Sequence, residues 1–245
     1  MPMLPIEILK APNLIELNIN NCDSIQNFLA QNPKIGEEEM LRQLTILKLC
    51  NVSTTQFFEL EHCSSLNIIC ERLHKLTVSQ CPHLTTLGVH SVVSFSCLKE
   101  VNIYKCSNLK YLFTTSASKK LMNLEEIRVI ECESLIEILA KEGEATFEAI
   151  KFERLHTIHL QSLTSLVCFY SGSDTLQLSS LKIVAIWNCP NMEIFSQGIE
   201  SLMGITLSMD QQADDLPPPQ DLNTRIKGIS QRKVKISSIC FERHL

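Results

Sequence analysis

The chain has little of what most folds use as punctuation and most enzymes use as tools. It has seven glycines in 245 residues, and none lies in a Gly-x-x-x-x-Gly-Lys-Ser/Thr arrangement, so no phosphate-cradling loop is encoded. Gly-x-Ser-x-Gly and His-Glu-x-x-His are absent, which removes two familiar routes to hydrolysis. Basic residues are not in excess: 22 Lys and Arg stand against 27 Asp and Glu, giving a net charge of −5, whereas a nucleic-acid reader normally carries a basic face. No stretch approaches the roughly 20 apolar residues of a membrane span. Aromatics make up 6% of the chain, with one tryptophan, Trp187. The start, Met1-Pro2-Met3-Leu4-Pro5, has neither the basic residues nor the continuous apolar run of a secretory leader.

What the chain has is a repeated phrase. Leu14-x-x-Leu17-x-Ile19-x-x-Cys22 returns as Leu73-x-x-Leu76-x-Val78-x-x-Cys81 and as Leu98-x-x-Val101-x-Ile103-x-x-Cys106. It returns again as Leu124-x-x-Ile127-x-Val129-x-x-Cys132 and as Leu181-x-x-Val184-x-Ile186-x-x-Cys189. Weaker copies begin at Leu44 and Leu155. The spacing averages about 28 residues, within the range of a leucine-rich repeat. In each copy two apolar residues two apart share one strand face, and the leucine before them points the same way. One such unit cannot bury its apolar face alone, but a stack of them forms a continuous core. The expected fold is therefore an α/β leucine-rich-repeat solenoid, a curved horseshoe. Short parallel strands line its concave face, and irregular or short-helix connectors form the convex side.

Five of the eleven cysteines sit at the same repeat position, where the chain turns inward after the strand and a small group with a weak donor fits. An odd count and the missing leader argue against a disulfide framework, so a reducing, cytoplasmic setting is expected. No two cysteines are spaced Cys-x-x-Cys, which argues against a zinc site. His156-x-x-His159 is read as two separate surface histidines, because residues three apart on a strand point to opposite faces. Cys63 follows His62, but adjacency in sequence does not make a nucleophile and its base. No catalytic, cofactor-binding or metal-ligating set is expected.

Repeats account for residues 1–208, seven or eight of them, with a further strand phrase at Leu202-x-x-Ile205-x-Leu207. Residues 209–245 read as an acidic, proline-rich linker followed by a basic, flexible tail. Two connectors carry helix-start signals: Ser116 as a cap ahead of one or two turns, and the acidic run at 37–39. Outward strand positions are the candidate partner surface: Lys75, Lys99, Asn102, Tyr104, Glu126, Arg128, His159, Lys182 and Trp187. Mixed charge with aromatic residues suits a protein partner, and Tyr104 and Trp187 are the expected anchors.

The wording of the later repeats also resembles a known family. Leu112-Phe113-Thr114-Thr115-Ser116-Ala117, Leu121-x-x-Leu124-Glu125-Glu126-Ile127 and Glu131-Cys132-Glu133-Ser134-Leu135-Ile136 are similar to repeats of plant coiled-coil-class nucleotide-binding disease-resistance proteins. Cys189-Pro190-Asn191-Met192-Glu193-Ile194-Phe195 resembles their last repeats, and Asp221-Leu222-Asn223-Thr224-Arg225-Ile226 a segment near their C-terminal end. The resemblance implies a sensor of pathogen effectors or of a guarded host protein, which also restrains its own nucleotide-binding module. The chain carries no such module, so it is not expected to bind ATP by itself. Two alternatives are the substrate-binding repeat arm of an F-box-type ubiquitin ligase and a stand-alone repeat scaffold. F-box repeats often carry Gly before the Cys, whereas Asn21, Gln80, Lys105, Glu131 and Asn188 stand there in this chain.

Overall fold

Alternation of apolar and polar residues over five positions makes a strand with one buried face, and the chain repeats that alternation. A computed structural model describes residues 11–21, 43–53, 70–87, 95–142, 149–199, 205–209 and 221–227. Its main sheet is built from β1 (Glu16–Asn20), β2 (Ile46–Cys50), β3 (Lys75–Ser79), β4 (Glu100–Tyr104), β6 (Glu126–Ile130), β9 (Thr157–Gln161), β12 (Ile183–Trp187) and β13 (Thr206–Met209). All eight strands are parallel, and each lies beside the next in chain order. The pairing never slips: Leu76 faces Val101, Val101 faces Ile127, Ile127 faces Ile158 and Ile158 faces Val184. This is the expected solenoid, and the strand phrase around Ile205 forms its eighth rung.

The convex side is more regular than the sequence announced. Two further parallel ladders run there. One orders β10 (Cys168–Tyr170), β7 (Glu137–Ala140) and β5 (Phe113–Thr114), and the other pairs β11 (Leu176–Gln177) with β8 (Ile150–Lys151). Bridges Tyr170–Ser196 and Leu176–Ile199 carry both ladders into the last turn. The pattern behind them is a second periodic run. Cys81, Leu84 and Leu87 are followed by Cys106, Leu109 and Leu112, by Cys132, Leu135 and Ile138, by Leu163, Leu166 and Phe169, and by Cys189, Met192 and Phe195. All fifteen are buried. In each set the third residue on donates its N–H to the carbonyl of the first, at 3.2–3.3 Å, which turns the chain after the strand.

Helix is scarce. α1 (Thr115–Ser118) is a single turn. Ser116 does not cap it. The preceding residue is Thr114, which makes no side-chain cap bond, and Ser116 lies inside the turn with its hydroxyl on the Glu142 carboxylate. Residues 222–227, placed with the tail on sequence grounds, form a short helix, α2, that docks on the end of the stack with Leu222 and Ile226 buried. Cys22, Cys63, the acidic run at 37–39, the proline-rich stretch at 217–219 and the basic stretch from 232 lie outside the described residues.

The cysteine column behaves as a structural one. Cys81, Cys106, Cys132 and Cys189 each donate a weak S–H bond to the carbonyl two residues back, at 3.2–3.6 Å. The neighbouring thiol in the column and burial push Cys81 well above the ordinary thiol range, and the same kind of contact with Cys132 pushes Cys106 up to about 12. Cys81 and Cys106 therefore stay protonated at neutral pH and are poor nucleophiles, while the contact with Cys106 lowers Cys132. The inward column at β6 carries a direct test. Ile127 is fully buried between Val101 and Ile158. Ile127→Ala should cost about 2–5 kcal/mol in denaturant unfolding, and a shift near zero would mean the strand register is wrong.

Candidate partner-binding face

The alternation that buries one side of the main sheet leaves the other side open to solvent. Three rows of side chains line it. Glu16, Ile46, Lys75, Glu100, Glu126, Thr157 and Ile183 form the first row, in register from strand to strand. Asn18, Lys48, Thr77, Asn102, Arg128, His159 and Ala185 form the second. Asn20, Cys50, Ser79, Tyr104, Ile130, Gln161 and Trp187 form the third.

Seven of the nine candidate residues occupy these rows: Lys75, Asn102, Tyr104, Glu126, Arg128, His159 and Trp187. Lys99 and Lys182 come just before their strands, in a border row with His74, Glu125 and His156. There the backbone N–H of each rung meets the carbonyl of the rung before it. Asn102 faces outward but is only 6% exposed, wedged between Thr77 and Arg128, so it offers little area. Ala185 is buried as well. Sequence reasoning passed over Ile183, which is 41% exposed and sits two residues before Ala185 on the same face. Its signal was the parity it shares with Trp187.

Most charge on this face is matched within the face. Lys48 pairs with Glu16 and Lys75 with Glu100, each at 2.5 Å. Arg128 holds Glu126 at 2.8 Å on its own strand. Lys99 lies 3.6 Å from Glu125, and Lys105 lies 3.6 Å from Glu131. Such exposed pairs add little stability, about 0–1 kcal/mol each, but they flatten the field. What stands out against them is apolar. Trp187 is 40% exposed, and Ile183 lies on the same strand. Tyr104 and Ile130, adjacent in register, are half-buried. At a strand spacing of about 4.8 Å, Tyr104 to Trp187 spans three rungs, roughly 14 Å.

The two histidines do not act as a pair. His156 sits in the border row with its Nε2 3.9 Å from Glu125, and His159 lies in the middle row between Arg128 and Ala185. Among the described residues, no group of three or more His, Cys, Asp or Glu is arranged to hold a metal. No described helix is long and apolar enough to cross a membrane.

Burial, and then the neighbouring Arg128 charge, hold His159 below the ordinary histidine value, while Glu126 opposes them. His159 is therefore neutral at pH 7. Because its folded pKa lies below its unfolded one, stability is full above the unfolded value near 6.5. It declines as pH falls from there to the folded value, then levels off. Arg128→Met removes the second cause and leaves the first. The His159 ring should then titrate higher by NMR, yet still below the ordinary value. An unchanged titration would mean that Arg128 does not act on it.

No solved structure matches the chain. Residues 3–133, about half of it, match the leucine-rich repeats of the plant disease resistance protein RPS2-like family. The matched stretch spans β1 to β6, and the same ladder continues without a break through β9, β12 and β13. A family match over half the chain, continued by one uninterrupted solenoid, makes this protein a member of the RPS2-like leucine-rich-repeat family of plant disease resistance proteins.

Proposed function

We propose that the chain is the recognition region of a plant disease-resistance receptor. Its outer sheet face binds a protein, either a pathogen effector or a guarded host protein, and the same repeats restrain the receptor's nucleotide-binding module. The observation that carries this reading is the exposure of Trp187 and Ile183 on a face whose charged side chains are largely paired with one another. A surface of that kind loses little by desolvating its paired charges and gains by covering its apolar residues. Family membership supports a protein partner over a small molecule. Among the described residues Cys50, Cys81, Cys97, Cys106, Cys132 and Cys168 are free thiols, which suits a reducing, cytoplasmic setting.

Trp187 and Tyr104 are the anchors of the interface. Their side chains project outward from the ends of their strands, and neither is fully buried. Trp187→Ala should weaken capture of the partner about 10–30-fold, the scale of a truncated anchor. Tyr104→Ala should do so to a smaller extent. Both variants should unfold at the wild-type denaturant midpoint. The measurement is binding of proteins from leaf extract to the immobilised chain, wild type beside each variant, with unfolding curves run in parallel. Retention of the same proteins at the same strength by the Trp187→Ala chain would reject this face as the interface.

A further inference from the structure

Exposed large apolar side chains are few among the described residues, and two of them are neighbours away from the outer sheet face. Ile136 is 51% exposed and Val167 is 43% exposed. The Val167 N–H donates to the Ile136 carbonyl at 2.9 Å, which places the two on adjacent rungs. The same bond repeats on either side of them. Ile136 donates to the Lys110 carbonyl at 3.0 Å, and Glu193 donates to the Val167 carbonyl at 3.2 Å. Lys110, Ile136, Val167 and Glu193 therefore form one column, with all four side chains exposed. Each stands six residues beyond the end of its main-sheet strand, on the flank between that sheet and the ladder of β5, β7 and β10. At about 4.8 Å per rung the column is roughly 14 Å long.

The ends of the column carry opposite charges. Among the described residues neither Lys110 nor Glu193 has an ion-pair partner, unlike Lys48, Lys75 and Lys99 on the outer face and its border. In one direction the column reads cation, apolar, apolar, anion. Turned end over end, it is its own complement. A two-fold axis between Ile136 and Val167 sets Lys110 of one copy against Glu193 of the other, and Ile136 against Val167, each contact occurring twice. The rows on either side agree with that axis. On one side it sets Tyr111 against Ile194 and Glu137 against Cys168. On the other it sets Asn108 against Asn191 and Ser134 against Ser165. Like charges meet in none of the three rows.

We propose that this flank is the contact surface of a symmetric dimer, in which a second copy of the chain lies antiparallel along the column Lys110, Ile136, Val167 and Glu193. The occupant follows from the order of the charges. The same column, reversed, matches this one at every position, and in each copy its side chains are exposed. A stripe of four rungs covers less than the roughly 800 Å² per partner of a stable interface. The dimer is therefore weak and forms as concentration rises. Because the contact is isologous, it closes at two copies. Trp187 and Tyr104, on the outer sheet face, take no part in it.

The test uses the full 245-residue chain and reads its mass by sedimentation equilibrium up to about 1 mM, with unfolding curves run beside it. The wild type should pass from one copy toward two as concentration rises, and go no further. Lys110→Glu sets two carboxylates against each other at both ends of the contact and should weaken association about tenfold or more. Glu193→Lys sets two ammonium groups together and should do the same. The variant with both changes restores opposite charges and should associate about as strongly as the wild type. All three should unfold at the wild-type denaturant midpoint, since both residues are exposed. If a charge variant does not fold, Ile136→Asp reads the centre of the same contact and should weaken association by at least as much. Four results would each overturn the proposal: a wild type that stays at one copy, a mass that grows past two, single variants that associate like the wild type, or a double variant no stronger than the singles.

Discussion

No rung of this protein can bury its own apolar side chains. Val101 and Ile103 are covered only because Leu76 and Val78 lie on one side of them and Ile127 and Val129 on the other. Burial is the dominant favourable term in folding, and here it depends on consecutive strands being aligned without a slip. A one-residue shift would turn every leucine to solvent and every charge to the core. The rest of the structure can be read as devices that hold that register.

The main device lies at the residue after each strand. Asn21, Asn51, Gln80, Lys105, Glu131, Ser162 and Asn188 all have φ between 50° and 56°, a left-handed conformation that costs a non-glycine residue roughly 1–2 kcal/mol. The conformation turns the chain inward and also keeps the ladder going. Six of the seven donate their N–H to the carbonyl of the next rung's last strand residue, as Gln80 does to Tyr104 and Glu131 to Gln161. Side chains reinforce the stacking. Asn51 donates to Asn21, Lys105 meets Glu131, and Asn188 donates to Ser162. Beside the turns, the amides of Asn108, Asn123 and Asn191 each donate to a carbonyl of the preceding rung at 2.6 Å. The same regularity sets the outward rows in line, so Tyr104, Ile130, Gln161 and Trp187 form one stripe.

The strands of the main sheet were legible because period-two alternation around a fixed Leu-x-x-Leu-x-Leu frame has few other physical solutions. The turn conformation was not. Three asparagines hint at it, since Asn tolerates positive φ, but Gln80, Lys105, Glu131 and Ser162 carry no such signal, and glycine is missing from all seven places. The second and third ladders escaped because strands of two to four residues are too short to show alternation. The outer face was legible by parity through Tyr104, Arg128 and Trp187. The reading slipped by one residue at the sixth and seventh rungs, β9 and β12, where the border residues His156 and Lys182 stood in for Thr157 and Ile183. The docking of residues 221–227 was hidden because a six-residue helix after a proline-rich stretch looks, by composition, like a tail.

The central claim is that these left-handed turns are rungs of the ladder rather than loops, and native-state hydrogen exchange tests it most directly. The amides of Asn51, Gln80, Lys105, Glu131 and Ser162 belong to residues that follow a strand, several with exposed side chains. The account predicts that they exchange as slowly as the strand amides beside them, because each is bonded to the next rung. Exchange at the rate of an open loop would contradict it, and with it the alignment on which both the core and the outer face depend.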